Sequence, residues 1–571
     1  MNAQDANGHK VMSLRDAVRT HVRPGMSLHL AFSGGRPNAT VMEIVRQFTG
    51  RDPAFELSAH GVISVQHALI AAGLVRRVVT SFAGENYPAP RPSGVFRELL
   101  AAGRIELENW SMWSLTARLM AGALGLPSLP VRSLIGSSMA DEHRDVRAWP
   151  VDGDPSLLQV AALRPDLVLI HGVAADSFGN VVTAAPFGEG SWGALSARDG
   201  VLVTVEEIIA HDELRRHNAL VRLPGHLVRA VCRVPFGGHP YGLFNPGVAG
   251  VRSYVEDAQA IAEVARASRK EASFAEWVRA WIHDVDDHEE YLHKVGEGRL
   301  FDLIGRAHPD SWELEQAAAD PEQPATPGEA MTAVTSRLIT ERVREHGYAT
   351  LLAGIGAANL AGWLAADTLR AQGGRVELLA EAGMFGYEPR PGEPYVFANR
   401  NQPMCSWLTD VTTVLGALVS GPATSCLGVL GAGQVDADGN LNSTMGHGGQ
   451  FLLGSGGAND IATCADETIV TLPQDPQRLV PHVSYVTAPG DHVRTIVTTE
   501  AVLERGDDGF VLTRYLDPAD GTSSEALVRG VRERTGWDLT VARQPVAEPP
   551  PTAVELARLR AFDPQRVFLG S

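Results

Sequence analysis

Two stretches of this 571-residue chain repeat one pattern. In the first, Pro165-Asp-Leu-Val-Leu-Ile-His-Gly-Val-Ala-Ala runs into Asp176-Ser-Phe-Gly179-Asn180 and a further apolar residue. In the second, Cys426-Leu-Gly-Val-Leu-Gly-Ala-Gly-Gln-Val runs into Asp436-Ala-Asp-Gly439-Asn440 and Leu441. Each reads as a buried apolar strand closed by a D-x-x-G-N turn, because Asp, Gly and Asn all suit tight turns. Each half also opens with a strand and a glycine turn into a helix, at Phe32-Ser-Gly-Gly35 and Ala353-Gly-Ile-Gly356. Two echoes in the same order point to a duplicated α/β architecture.

Short apolar runs alternate with helical patterns on both sides of the midpoint. Met26–Phe32, Arg77–Ser81, Asp166–His171 and Val201–Val205 read as strands, and Thr40–Phe48 as a helix. After the midpoint, Tyr348–Ala353 and Arg375–Leu379 read as strands around a helix at 359–371. The acidic, proline-containing stretch between reads as a linker. The expected organisation is therefore a domain at 1–306, a linker at 307–328 and a second domain at 329–571. The tail Pro549–Pro551 reads as a rigid arm before a capped helix that starts at Thr552.

Val411–Val435 carries no charge and is long enough to span a bilayer. Its glycines and Pro422 favour two buried strands with a turn at Ser420–Pro422. The net charge is −18, which argues against nucleic-acid binding and against anionic membrane surfaces. The four cysteines, Cys232, Cys405, Cys426 and Cys464, form no C-x-x-C pair. Met1–Lys10 is polar and no apolar run follows it. Scattered thiols and no leader pattern lead us to expect a reducing, cytoplasmic setting.

Two features carry chemistry. Leu453-Gly454-Ser455-Gly456-Gly457-Ala458-Asn459-Asp460 places small residues in a row, so its backbone N–H groups are unshielded and suited to a developing oxyanion. Val376-Glu-Leu-Leu-Ala-Glu381-Ala-Gly383 places a glutamate directly after an apolar strand. The carboxyl ends of such strands face the ligand crevice of an α/β sheet, and a carboxylate there can act as a nucleophile.

With these features the chain resembles a class I coenzyme A-transferase of the glutaconate type, with its A and B subunits fused. The A-like half carries Leu28-His-Leu-Ala-Phe-Ser33-Gly34-Gly35, Ile105-Glu-Leu-Glu108, Leu119-Met-Ala-Gly-Ala-Leu-Gly-Leu-Pro127 and Arg132-Ser-Leu-Ile-Gly136. The B-like half carries Glu381-Ala-Gly383, Gly431-Ala-Gly-Gln434, Gly439-Asn440-Leu-Asn442-Ser-Thr444 and the Gly454–Asp460 loop. Tyr485-Val-Thr-Ala-Pro-Gly490 and Thr535-Gly-Trp-Asp538 follow near the end. The resemblance implies two related open α/β domains with mainly parallel sheets, packed across a cleft. It implies Glu381 as nucleophile of a ping-pong reaction through a glutamyl-CoA thioester. The oxyanion loop would be Gly454, Ser455, Gly456, Gly457 and Ala458, with Ser33, Gly34 and Gly35 nearby.

The chain departs from that pattern at Met445-Gly-His447-Gly-Gly, where His447 is a candidate base or substrate contact. Gln434, Arg36, Arg118 and Arg132 are further candidates for substrate contact, the arginines for a carboxylate. A related group on this fold hydrolyses a carbon–carbon bond of cyclic diketone CoA esters with an A-half glutamate. Glu85, Glu106 and Glu108 are the candidates for that alternative, or for thioester hydrolysis. The implied partners are acyl-CoA and a small carboxylic acid, with coenzyme A as substrate rather than resident cofactor, no metal, and a homodimer or homotetramer. His283-Asp-Val-Asp-Asp-His288-Glu-Glu-Tyr-Leu-His293 is rich in ligand types, but on one helix its histidines would not share a face, so it reads as a solvated acidic helix. Trp110 and Trp113 read as core or pocket lining.

Overall fold

The computed structural model describes residues 9–32, 34–143, 146–148, 157–314, 323–518 and 521–570. Ser33 and part of the expected linker, 315–322, lie outside the described residues.

Two sheets organise the chain. In the first, parallel strands stand in the order Glu106–Asn109, Val75–Gly84, Phe55–Ile63, Ser27–Leu30, Leu167–Ala175, Gly200–Ile208 and Val228–Arg233. In the second, the order is Glu377–Ala380, Thr350–Ala353, Cys426–Gly431, Glu467–Leu472 and Val493–Thr498, again parallel. The second sheet then continues through the antiparallel strands Ala501–Gly506 and Gly509–Leu516.

The repeated turn is the same in atomic detail. Asp176 Oδ1 accepts the N–H groups of Phe178 and Asn180, while Asn180 Nδ2 donates to Oδ2. Asp436 does the same with Asp438 and Asn440. Gly179 and Gly439 adopt φ +92° and +81°, where a side chain would be strained. Even the next layer repeats: Asn180 Oδ1 accepts Gly225 N–H at 2.9 Å, and Asn440 Oδ1 accepts Gly490 N–H at 3.0 Å.

The two halves share one core. Trp110 and Leu115 of the first half pack in the same buried cluster as Leu352, Leu415 and Ile461 of the second. The C-terminal helix Ala553–Phe562 has a Thr552/Glu555 capping box and docks on its own chain, where buried Arg560 pairs with Glu329.

Two expectations need correction. Thr412–Val419 is a π-type helix, and only Cys426–Gly431 and Gln434–Val435 of the uncharged run are strands. An all-apolar run has no polar face to reveal its period. Gly416 sits under the Trp113 indole, where a Cβ would approach Cη2 to 2.8 Å, so long-range packing decides this segment. The histidine-rich stretch is also not one helix. A π turn ends at His283, Asp287 caps a new helix His288–Val295, and His288 Nε2 donates to Pro235 O. Among the described residues no helix is long and apolar enough to cross a membrane.

Candidate active site

Glu381 follows the last residue of the strand Glu377–Ala380, which pairs with Thr350–Ala353. Gly383, at φ +121°, then turns the chain so tightly that a Cβ would stand 2.1 Å from Thr409 O. Glu381 is part-exposed at the cleft. Burial of its carboxyl pushes it up to about 7, and Asp460 adds to that rise. His60 and a hydrogen bond from Gly457 N–H oppose it. A Cβ on Gly457 would stand 2.0 Å from Glu381 Oε2, so no other residue type leaves room for this approach.

The glycine loop is built into the first half. Ala83 N–H donates to Leu453 O, Gly456 N–H to Ser81 O, and Met112 N–H to Gly456 O, all at 2.8–2.9 Å. This changes the expected set of oxyanion donors. Gly456 N–H is used by Ser81, and Ala458 N–H by Ser455 O within the turn. Gly457 N–H is the donor that faces the nucleophile. Gly454 fits against Ser81, since a Cβ there would meet Ser81 O at 2.5 Å, and Ser455 Oγ caps the following helix at Asn459 N–H. Gly34 N–H is likewise occupied, by Pro186 O, and a Cβ on Gly35 would meet His171 O at 2.4 Å. These two glycines therefore serve close packing. Ser33 lies outside the described residues.

Asp460 joins the halves. Its carboxylate accepts Ser111 Oγ (2.6 Å), Ser133 Oγ (2.5 Å) and Trp113 N–H (3.0 Å). Burial pushes it up to about 6 despite these donors. Sequence reasoning assigns it no role. Its only local signal is a polar Asn-Asp pair opening an apolar helix.

A small pocket, with a cavity volume of about 40 Å³, adjoins the nucleophile through Ala382. Phe32, Tyr241, Tyr395 and Phe397 form its aromatic wall. Buried Arg36 lies between the Phe32 and Tyr241 rings, 4.7 and 4.6 Å from their centroids, and hydrogen-bonds Tyr395. Among the described residues Arg36 forms no salt bridge. Glu256 also lines the pocket, but it is engaged by Asn399 N–H and Nδ2 with Arg400 nearby. Asn399 and Gln402 are more than nine-tenths buried there, each with an unpartnered side-chain oxygen.

The other candidates serve elsewhere. Arg118 pairs with Glu108 and lies over Trp110 at 4.2 Å, while Glu108 also pairs with Arg77. Arg132 and Glu106 are exposed. Glu85 is enclosed beside Ser268 and His67, where burial pushes its carboxyl up to about 8. Gln434 bridges Asn442 and Gln477 O within a small ribbon. His447 is exposed on the loop that carries Phe451 over Phe96. Ligand-type atoms of Asp436, Asp438 and His482 come within 4.8 Å of one another, but buried Asp436 is already engaged by its turn and by Val483 N–H.

Residues 11–233 match the family model described as coenzyme A transferase. The chain is 29% identical to the A subunit of glutaconate CoA-transferase from Acidaminococcus fermentans, over 52% of this chain and 94% of that protein. It is 30% identical to the A subunit of 3-oxoadipate CoA-transferase from Pseudomonas knackmussii, over 51% of this chain and 99% of that protein. The chain belongs to the coenzyme A transferase family. The B subunit of the same P. knackmussii transferase is 32% identical over 24% of this chain and 58% of its own length, in the C-terminal part. The family's A and B subunits are thus fused here. The fold agrees: the acyl-CoA transferase apoenzyme of Escherichia coli O157:H7 superposes over 99% of this chain and 98% of its own, with a TM-score of 0.67 at 16% identity.

Proposed function

We propose that this fused transferase moves coenzyme A from an acyl-CoA to a carboxylic acid through a glutamyl-CoA thioester on Glu381. The observation that carries the reading is a desolvated Glu381 carboxyl packed against Gly457 so closely that only glycine fits there. The A-like part spans 1–306 and the B-like part 329–571.

The ionised Glu381 attacks the thioester carbonyl carbon. Negative charge moves to the thioester oxygen, and a fixed N–H in a water-poor site stabilises it better than water does. The carbon–sulfur bond breaks, CoA thiolate leaves and an acyl-glutamyl anhydride remains. The thiolate then attacks the Glu381 carbonyl carbon and expels the first acid as its carboxylate. A second carboxylate attacks the glutamyl thioester and the steps run in reverse. The anhydride and the thioester are both energy-rich, so the energy of the CoA bond is retained. Hydrolysis by an A-half glutamate is less well supported, because Glu108 is held in ion pairs and Glu106 is exposed.

The relatives named above act on glutaconate and 3-oxoadipate, acids with two carboxyl groups. A buried guanidinium with no ion pair among the described residues favours an incoming anion. We therefore assign Arg36 to the far carboxylate of the acyl group, with the aromatic wall along its chain.

The test is intact-protein mass after incubation with a panel of acyl-CoAs, measured before borohydride for the adduct and after it for the reduced glutamate. A CoA-sized adduct in the wild type, absent from Glu381→Gln, with Glu381 reduced to the alcohol, is the expected result. Consumption of acyl-CoA by both proteins without an adduct overturns the reading.

A further inference from the structure

The Met445-Gly-His447-Gly-Gly segment, where the chain departs from the pattern it otherwise resembles, is the tip of a hairpin. Leu453 N–H donates to Ser443 O (3.3 Å), Leu452 N–H to Thr444 O (2.7 Å) and Gly446 N–H to Gln450 O (2.7 Å). Asn442 Oδ1 fixes the entry by accepting the N–H groups of Thr444 and Met445, both at 3.1 Å. Gly448 and Gly449 follow one another at φ +76° and +78°, and a Cβ on either would meet nothing within 4 Å. The tip therefore turns in a way that favours glycine, and it presents open backbone with no side chain. The hairpin is anchored in the first half: Phe451 is 3% exposed and its ring lies 5.4 Å from that of Phe96. Its base runs directly into the glycine loop that begins at Gly454.

Against this tip lies a pocket of about 470 Å³, at the seam of the two halves. That volume is in the range of small-molecule sites. The first half lines it with Arg97 and Arg269, and the second with Gly449, Gln450 and Phe451. Arg97 stands on the first turn of the helix Gly94–Ala101. Arg269 is pressed against the start of that helix, since a Cβ on Gly94 would lie 1.9 Å from Arg269 O. Arg97 Nε is buried with no hydrogen-bond partner, and neither arginine forms a salt bridge among the described residues. Glu98 also lines the pocket, but its Oε2 accepts Glu271 N–H at 2.9 Å. A guanidinium N–H buried without an acceptor is unfavourable until one arrives. The planar fork of a guanidinium matches a phosphate.

We infer that this seam pocket binds the phosphate groups of a nucleotide-type ligand through Arg97 and Arg269, with the bare Gly448–Gly449 backbone as the opposite wall. The chain carries a net charge of −18, which repels polyanions, so a phosphorylated ligand needs a local cationic seat of this kind. Two sources share that chemistry: the phosphoadenosine end of coenzyme A, and a separate nucleotide. The covalent layout favours the first. The hairpin tip and Gly457, which packs on Glu381, are the two ends of one stretch at 449–457. Fully extended, that stretch would span about 30 Å at most, a separation on the scale of the extended coenzyme. Assigning the phosphates to coenzyme A rests on the transfer proposed above, whereas the anion site itself does not.

The test uses the full chain and two variants, Arg97→Gln and Arg269→Gln. The probe is adenosine 3′,5′-bisphosphate, with adenosine as its uncharged control, in titration calorimetry. The bisphosphate should bind the wild type and lose about tenfold in affinity in each variant, the scale of one charge-assisted hydrogen bond. Equal affinity in all three proteins, or adenosine binding as tightly as the bisphosphate, overturns the inference. If Arg97→Gln does not fold, the exposed Arg269 carries the same test. Competition separates the two sources. Displacement of the bisphosphate by CoA places the coenzyme in the pocket. In that case kcat/KM on an acyl-CoA should fall about tenfold in Arg97→Gln, and the penalty should vanish on the matching acyl-pantetheine, which has no phosphoadenosine end. If CoA and the bisphosphate bind together, a separate nucleotide is the ligand and the coenzyme assignment is overturned. Arginine-dependent binding of the bisphosphate where no Glu381 adduct forms keeps the pocket and removes the transferase reading. Adducts without bisphosphate binding remove the pocket alone.

Discussion

Gly457 packs against the Glu381 carboxylate so closely that no side chain fits, since a Cβ would lie 2.0 Å from Oε2. The backbone of Gly457 is at φ −87°, ψ 0°, which alanine adopts without strain. Gly457→Ala should therefore fold normally and displace Glu381. We expect adduct formation to fall about 10²-fold, the scale for a reacting group moved by about 1 Å. Unchanged circular dichroism and melting, together with stopped-flow adduct rates, check this. Wild-type rates would remove Gly457 from the machinery.

The nucleophile must be ionised, and burial places Glu381 at about 7. Transfer should rise with pH through that value, which is measured as kcat/KM from pH 5 to 9. Stability should move the other way. A carboxyl raised in the folded state binds more protons folded than unfolded between about 4.5 and 7. The folded form therefore loses stability as pH rises through that window. Glu381→Gln should melt higher than wild type at pH 8 and close to it at pH 4.5. Equal melting at pH 8 would show that the carboxyl is not desolvated.

Asp460→Asn should have two separable effects. It removes a like charge from beside Glu381, so the acid limb should move to lower pH. It also replaces an acceptor of three hydrogen bonds that join the halves. That loss should cost about 1–3 kcal/mol in urea unfolding. An unshifted limb would show that Asp460 does not act on the nucleophile.

Arg36→Gln should discriminate by charge. Glutaryl-CoA and valeryl-CoA have equal chain length and differ in one terminal carboxylate. The variant should lose about 10²-fold in kcat/KM on glutaryl-CoA and little on valeryl-CoA. Arg36→Lys should recover part of the loss. An equal effect on both substrates would detach Arg36 from substrate recognition.

Arg560→Ala should be among the most destabilising changes remote from the cleft. It leaves Glu329 buried without its partner, at a cost of about 3–5 kcal/mol. Denaturant unfolding checks the size. Transfer per folded molecule should be unchanged, because the pair joins the C-terminal helix to the start of the helix Pro327–His346 rather than to the glycine loop or Glu381.

What could be read from the amino-acid order alone was local. The duplicated strand and D-x-x-G-N turn follow from alternating apolar runs and turn chemistry within about fifteen residues, and both halves use them alike. Glu381 at a strand end and the glycine-rich run at 454–458 were visible for the same reason. The Thr412–Val419 helix was not, because its conformation answers to Trp113, about three hundred residues away. Which loop N–H groups remain free was equally hidden, since Ser81 of the other half consumes that of Gly456. The choice among Arg36, Arg118 and Arg132 depends on tertiary placement: Arg118 pairs with Glu108, Arg132 is exposed and Arg36 lines the pocket. The hydrogen-bond partners of His60, Glu189 and Thr116, stand 129 and 56 positions away. A chain's local order sets which conformations each segment prefers. Hydrogen-bond partners, desolvation and charge state belong to groups brought together only when the two halves close on one another.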